Sequence, residues 1–588
     1  MSRTGALIVF AAGLLALPLL PPRPAAAAWP ADPAVNVPLC TATGNKYDPK
    51  MVTDGAGGAI VTWMDARGSD YDIYAQHVLA SGTVDPAWPV DGRALCTATN
   101  IQELPVIAPD GAGGAIVAWY DYRSGMAHLY AQRVLAGGAV DPAWPADGRA
   151  LCVPADDEQN PAIVADGAGG AVVAWMDGRS GTSSDIYAQH VSANGAVDPA
   201  WPPSGRALCT AAGNQYSPMI VTDGADGAIV TWYDYRNGTE NPDIFAQHVL
   251  AGGAVDPAWP ADGRALCTAA NYQQHPTLVA DGAGGAIVTW FDYRSGTNHD
   301  IYAQHVLAGG AVDPAWPTDG RALCTAAGDQ AYPVITADGG APAAGGSGAI
   351  VSWMDARGGV NDIYAQHVLA SGAVDPAWPA DGRALCTAAG SQYSPAIFAD
   401  GAGGAVVTWW DMRGGSGDVY AQHVRASGAV DAAWPADGRA LCTAAGNQES
   451  PVIVGAGTDG AIVAWMDLRS GTHFDVYAQY VRMDGQLGGD VVSVPGDAPL
   501  AFALEPVRPN PSRGGTLTIR FALPGAEPAS LELLDIAGRR IAAREVGSLG
   551  AGRHTLEIGE GRRLAPGLYL VRLRQGTRTR VTRVAVLR

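Results

Sequence analysis

The 588-residue chain has almost no lysine: Lys46 and Lys50 are the only two among 37 basic residues. Charged residues are 16% of the chain, against a usual ~25%, and the formal net charge is −20. So acidic a balance argues against nucleic acid, and no nucleic-acid partner is expected. Eight cysteines in 588 residues are too sparse for a disulfide-stapled scaffold. After residue 28 no apolar run is long enough to cross a bilayer as a helix, so no transmembrane segment is expected. G-x-S-x-G, H-E-x-x-H and phosphate loops are all missing. C-x-x-C pairs and D-x-D-x-D-G loops are missing too, so no cofactor and no metal are expected. What the chain does have is 48% hydrophobic residues, 17 tryptophans and 76 glycines. The first two exclude disorder, and the glycine content is nearly twice the usual ~7%.

Arg3, the apolar run Ala6–Leu20 and the small residues Ala25–Ala28 form a secretory pattern. Residues 1–28 are read as a signal peptide, and the mature chain as starting near Ala28 or Trp29.

The rest is dominated by a repeat. Cysteines fall at Cys40, Cys96, Cys152, Cys209, Cys267, Cys324, Cys386 and Cys442, spaced by 56, 56, 57, 58, 57, 62 and 56. A proline follows each by nine residues (Pro49, Pro105 and so on), then a glycine-rich turn such as Asp54–Gly58, then an apolar run closed by W-x-D-x-R. D-I-Y-A-Q-H-V and V-D-P-A-W-P complete the unit. Extra residues between Asp338 and Trp353 account for the 62-residue spacing. Each unit offers four short β-rich runs, in the first copy d (about 37–42), a (50–54), b (59–65) and c (72–79). The fold class is therefore all-β: an eight-bladed β-propeller of ~57-residue four-stranded repeats, followed by a small immunoglobulin-like β-sandwich. A linear β-solenoid is the alternative. Because the chain enters on a d run and the last repeat ends on a c run, 37–41 is expected to close the ring against 475–481, with 490–494 as a rival. The expected domains are the signal peptide 1–28, the propeller 29–495, a linker 496–505 and the tail 506–588.

One cysteine per blade places neighbours roughly a blade apart, beyond the ~7 Å that a disulfide allows. Eight unpaired, buried cysteines acting as small hydrophobes are expected. The W-x-D-x-R arginines, Arg67, Arg123, Arg179, Arg236, Arg294, Arg357, Arg413 and Arg469, are candidate ligand contacts near the b–c loops; their other reading is a structural Asp–Arg pair pinning a turn. The repeated histidines, His77 and its counterparts, are expected to pack across strands. A single site needs broken symmetry. The departures noted are Lys46 where other copies have Gln, the cluster Asp156–Asp157–Glu158, and the unrepeated His275, His299 and His473.

From about residue 501 the repeats stop and the charge inverts. Residues 501–588 hold 15 Arg against 7 acidic residues, whereas 29–500 hold 20 basic against 50 acidic. Pro509–Asn510–Pro511, Phe521–Pro524, Leu534–Asp535–Ile536–Ala537–Gly538–Arg539 and Gly567–Leu568–Tyr569 through Leu573 closely resemble the type IX secretion sorting domains and the related FlgD-like immunoglobulin modules. The resemblance implies that Pro509, Asn510, Pro511, Asp535, Gly538, Arg539, Gly567 and Tyr569 form a sorting motif, that secretion machinery is a partner, and that the protein is released or attached at the outer cell surface. The repeats resemble uncharacterised exported bacterial propellers, which lend no reaction. The functional reading is an exported, non-catalytic module binding a glycan, polymer or protein, with whether it is an enzyme left open. The alternative is an extracellular glycoside hydrolase or polysaccharide lyase on a propeller. A central pocket holding two unrepeated carboxylates would favour that alternative.

Overall fold

A computed structural model of the chain describes residues 29–152, 158–339, 347–457, 459–489, 503–504, 512–513, 517–523, 529–536, 539–546, 552–558, 564–565, 567–575 and 578–587. The signal segment, Asp156, Asp157, the rival strand at 490–494 and most of the 496–505 linker lie outside the described residues.

Residues 37–482 form eight four-stranded antiparallel sheets. In blade 1 the strands are a (Lys46–Thr53), b (Ala59–Asp65), c (Asp72–Val78) and d (Arg93–Cys96). Strand b is buried along its whole length, as a continuous apolar run demands when neighbouring blades cover both faces. The cores lie between blades. Ile60, Ile73, Trp88 and Cys96 of blade 1 pack with Val117, Trp119 and Val134 of blade 2. Glycine is required where the tryptophans cross the chain: Gly92 has φ +99, and a Cβ there would lie 2.9 Å from the Trp63 ring.

Each strand a packs against the strands a of both neighbouring blades, and the last, Gln448–Gly455, packs against the first. The ring is therefore closed with strand a innermost, which removes the solenoid alternative. Closure is made as expected by Val37–Cys40, which adds to Asp475–Arg482 with Val37 opposite Ala478 and Cys40 opposite Val476. Two further contacts hold this seam. Trp29 donates its indole N–H to Ala80 O, as Trp88 does to Ala136 O one blade on. The buried Lys46 ammonium lies 3.5 Å from the buried Asp475 carboxylate. Lys46 fills the place held by Gln102 and five other glutamines, so the one seam without chain continuity between strands d and c carries an ion pair instead.

Strand a starts earlier than its run suggests, at Lys46 rather than 50, because it is bulged. Tyr47 pairs with Met64 and Lys50 with Thr62, leaving Asp48 and Pro49 out of register. Proline has no N–H for the ladder, and a bulge is where a strand tolerates it.

The tail forms two sheets, one from 503–504, Leu517–Leu523 and Gly552–Ile558, the other from 512–513, Arg578–Leu587, Gly567–Gln575, Ala529–Asp535 and Arg540–Glu545. Leu517, Ile519 and Phe521 of the first share a core with Leu531, Leu533, Val571 and Val584 of the second, making the expected sandwich.

Candidate ligand-binding site

The repeated chemistry forms a frame. In blade 1 the Asp65 carboxylate accepts the Trp63 indole N–H (2.8 Å), the Arg67 backbone N–H (2.9 Å) and two guanidinium N–H groups (2.9 and 2.6 Å). Arg67 also donates to Asp91 O and to Cys40 Sγ of the preceding blade, and its guanidinium lies 3.8 Å above the Tyr74 ring. Closely similar arrangements recur at Arg123, Arg179, Arg236, Arg294, Arg357, Arg413 and Arg469. These side chains are only about one-fifth exposed, 18–23%. The cysteines are free and buried as expected, but they do more than fill space. Each accepts an N–H from the next blade's arginine, and burial pushes most of their thiols up to about 12.

The histidines pack against tryptophans, His77 on Trp88 at 5.8 Å, and also bridge carboxylates. His77 Nε2 lies 3.0 Å from Asp54 of the a–b turn and Nδ1 lies 2.9 Å from Asp85 beyond strand c. Five other blades repeat this bridge. In blade 2 Arg133 holds Asp110 instead. In blade 8 Tyr480 replaces the histidine, both aspartates are gone from their repeat positions, and the Tyr480 hydroxyl donates to Asp459. The aspartates persist only where a basic group bridges them, so this network belongs to the frame.

Glu158, the described member of the acidic cluster, is buried at the start of its strand a, and accepts the Leu129 N–H. His299 and His473, in b–c loops, pair with Asp329 of the next d–a loop and Asp475 at the start of strand c.

The symmetry breaks elsewhere, at the bulge. The residue before each repeated proline takes a positive φ of 50–55°: Asp48, Leu104, Asn160, Ser217, His275, Tyr332, Ser394 and Ser450. This is a left-handed backbone that non-glycine residues rarely adopt, strained further by the following proline, and such strain costs roughly 1–3 kcal/mol per residue. A buried glutamine or its substitute precedes these residues by two places, and a proline follows that is buried in every blade but the third, yet the residues themselves are half- or fully exposed. The bulge thus turns one side chain per blade toward the axis.

Seven of the eight, all but Ser450, line one cavity of about 670 Å³. It is shared by seven blades and therefore lies on the ring axis, at the end where strands a begin and strands b finish. The variable residue of W-x-D lines it too, as Tyr120, Met354 and Trp410. Below it a second space of about 510 Å³ is lined mainly by aliphatic strand-a residues such as Met51, Ile107, Ile163 and Ile397.

The cup is lopsided. On blades 5–7 the rings gather. His275 stacks on Phe291 (5.2 Å) beside Tyr332 (5.6 Å), and Trp410 tilts against Tyr393 (5.3 Å). Partial burial beside these rings lowers the pKa of His275. Blades 1–4 offer polar atoms: Lys50 paired with Asp48 at 3.3 Å, Tyr120 donating to Asn160 Oδ1 at 3.2 Å, and Ser217. Of this set, sequence reasoning singled out only His275. The signal for the rest was available as the columns that change from copy to copy within an otherwise repeated unit.

In the tail, Asp535 and Arg539 close a tight turn with their backbones (2.9 Å) and side chains (3.0 Å). Tyr569 pairs with Asp535 across the sheet and donates its hydroxyl to Ala565 O, with Gly567 exposed two residues before it. Pro509, Asn510, Pro511 and Gly538 lie outside the described residues.

No curated protein sequence matches the chain. Among solved structures it is similar to a protein of unknown function from Dyadobacter fermentans (10% identity, 64% of this chain and 94% of that one, TM-score 0.34). It is also similar to an α-L-arabinanase from Penicillium chrysogenum (12%, 57% and 96%, 0.33) and to an ulvan lyase (11%, 79% and 97%, 0.36). At these scores none of them bears on what this chain does, and the ring rests on its own strand pairing. The tail is different. Residues 507–587 match the family model of the secretion system C-terminal sorting domain, in agreement with the resemblance read from Asp535, Arg539 and Tyr569. The chain is a secreted β-propeller carrying a type IX sorting tail, destined for the outside of the cell or its outer surface.

Proposed function

We propose that the propeller is a non-catalytic binding module whose ligand enters the axial cup. The observation that carries this reading is convergence: residues that escape the repeat meet at one cavity, on backbone held in a strained conformation at every blade. Strain kept eight times over is typical of positions where function, not packing, fixes the residue. The cavity volume falls in the ~300–1,000 Å³ range of small-ligand sites. The eight arginines are assigned to the frame, since their N–H groups already serve Asp, Cys and carbonyl acceptors. Hydrolysis of a glycosidic bond ordinarily uses two carboxylates flanking it. Among the described lining residues Asp48 is the one carboxylate, and it is paired with Lys50.

The test is to fill the cup. Ser217→Trp together with Ser394→Trp should abolish capture of whatever ligand the secreted chain retains on an array of glycans and peptides, without lowering Tm. Ala56→Ser, in the exposed a–b turn at the opposite end of the ring, should change nothing. Capture that survives the filled cup would refute the reading. Deleting residues 501–588 should leave the ring folded and its binding intact but keep it inside the cell; unchanged export would remove the sorting role.

A further inference from the structure

We infer that the cup takes an uncharged, hydroxyl-rich ring ligand, the terminal sugar unit of a neutral glycan. This rests on the cup being the binding site and adds its chemistry. First, the cup's own charges cancel: Asp48 and Lys50 are 3.3 Å apart and both about 40% exposed. They present a dipole and not a net charge, while the ring around them is strongly acidic. A uronate or sulfate group entering here would meet repulsion without a free cation to offset it. Second, the two arcs differ in kind. Tyr332 stands 54% exposed beside His275, with Trp410 on the next blade. These rings are broad apolar faces that a sugar's C–H face can cover. Opposite them, Asp48, Asn160 and Ser217 offer separate acceptors and donors suited to hydroxyls. A purely apolar ligand would strip water from that arc without replacing its hydrogen bonds, at a cost. Third, apart from Lys50 the deeper space is lined by aliphatic residues and proline, so hydroxyls find few partners there. A polar chain is therefore better held in the cup, which favours an end over a passing strand.

The experiment uses the full mature chain and an array holding neutral oligosaccharides, oligosaccharides bearing uronate or sulfate, and peptides, followed by calorimetric titration of the hits. Binding confined to the neutral set is expected. Its Kd should change less than about twofold between about 50 and about 500 mM NaCl, because no net charge is matched. Tyr332→Ala should weaken it about tenfold through loss of one ring face, and Tyr332→Phe should restore it. Cup-dependent binding of acidic glycans or of peptides alone would overturn the neutral-glycan inference and leave the cup reading standing. Neutral-glycan binding indifferent to both Tyr332→Ala and the filled cup would overturn both, as would the absence of any cup-dependent ligand on the array.

Discussion

The rim frame and the axial cup are made from the same eight repeats, yet they follow opposite rules. In the frame, Trp63, Asp65, Arg67 and Cys40 have counterparts in every blade, and the Arg67–Cys40 link ties one blade to its neighbour. In the cup, the residue two places after a repeated buried position runs from Asp48 to Leu104, Asn160, Ser217, His275, Tyr332 and Ser394. The same local backbone supports all of these, because the bulge and not the side chain fixes the geometry. Sameness marks what holds the ring; difference at constant backbone marks what it presents.

The comparison can be broken most severely at the frame's seam. A chain lacking residues 29–41 loses strand d of blade 8 and the Trp29 anchor, and should show no cooperative thermal transition by calorimetry. A milder break is Asp292→Ala. It strips the acceptor from the Trp290 indole and the Arg294 guanidinium around a fully buried carboxylate. Loss of about 3–5 kcal/mol in denaturant unfolding is expected, as for a buried pair deprived of one partner, with ligand affinity unchanged in the folded fraction.

Titration gives a smaller effect, with a definite sign. Burial, reinforced by nearby carboxylates, pushes Asp72, Asp300, Asp362 and Asp418 up to about 6. An acid raised above its unfolded ~3.9 contributes stability at low pH that is lost as pH rises through about 6. Burial alone would lower His77, His190 and His305, but their paired aspartates outweigh it and raise them. Their contribution is full below ~6.5 and fades as pH rises through the raised values. Asp54, Asp166 and Asp281 face the same burial, but hydrogen bonds and the histidine charge hold them low. Their contribution is lost only as pH falls below ~3.9. Scanning fluorimetry should therefore find the highest Tm at about pH 4, falling as pH rises through about 6 and on toward pH 8; a Tm that climbs across that range contradicts the frame's electrostatics. The smallest effect sharpens the comparison from the other side. Tyr332→Ala, at a 54% exposed site, should change unfolding free energy by no more than about 0.5 kcal/mol.

Much of this was legible in the sequence, for reasons that can be located. The repeat gives strand count, blade count and the closing strand, because a d run before the first a run has nowhere to pair but the last blade. The unpaired cysteines followed from spacing. The cup was not legible by composition, since Ser217 or Leu104 is an ordinary residue before an ordinary proline. Only the bulge, a feature of backbone geometry, brings those residues to one axis. The histidine bridges were hidden similarly: Asp54, His77 and Asp85 lie on three different elements, and their pairing is visible only once strand c lies across the turn.

The seam also sets a clock. Asn36 and Leu441, which meet in the closed ring, are 405 residues apart in the chain. Bringing such distant segments together in an open chain carries a loop-closure cost of roughly 5 kcal/mol, unless the intervening blades stack first and shorten the search. The first residues of the ring to be made therefore wait longest for their partner, and blade 8 remains an exposed, three-stranded edge until they arrive. The sorting tail follows that blade directly in the chain, so the address is written last, after every strand the ring needs has been made.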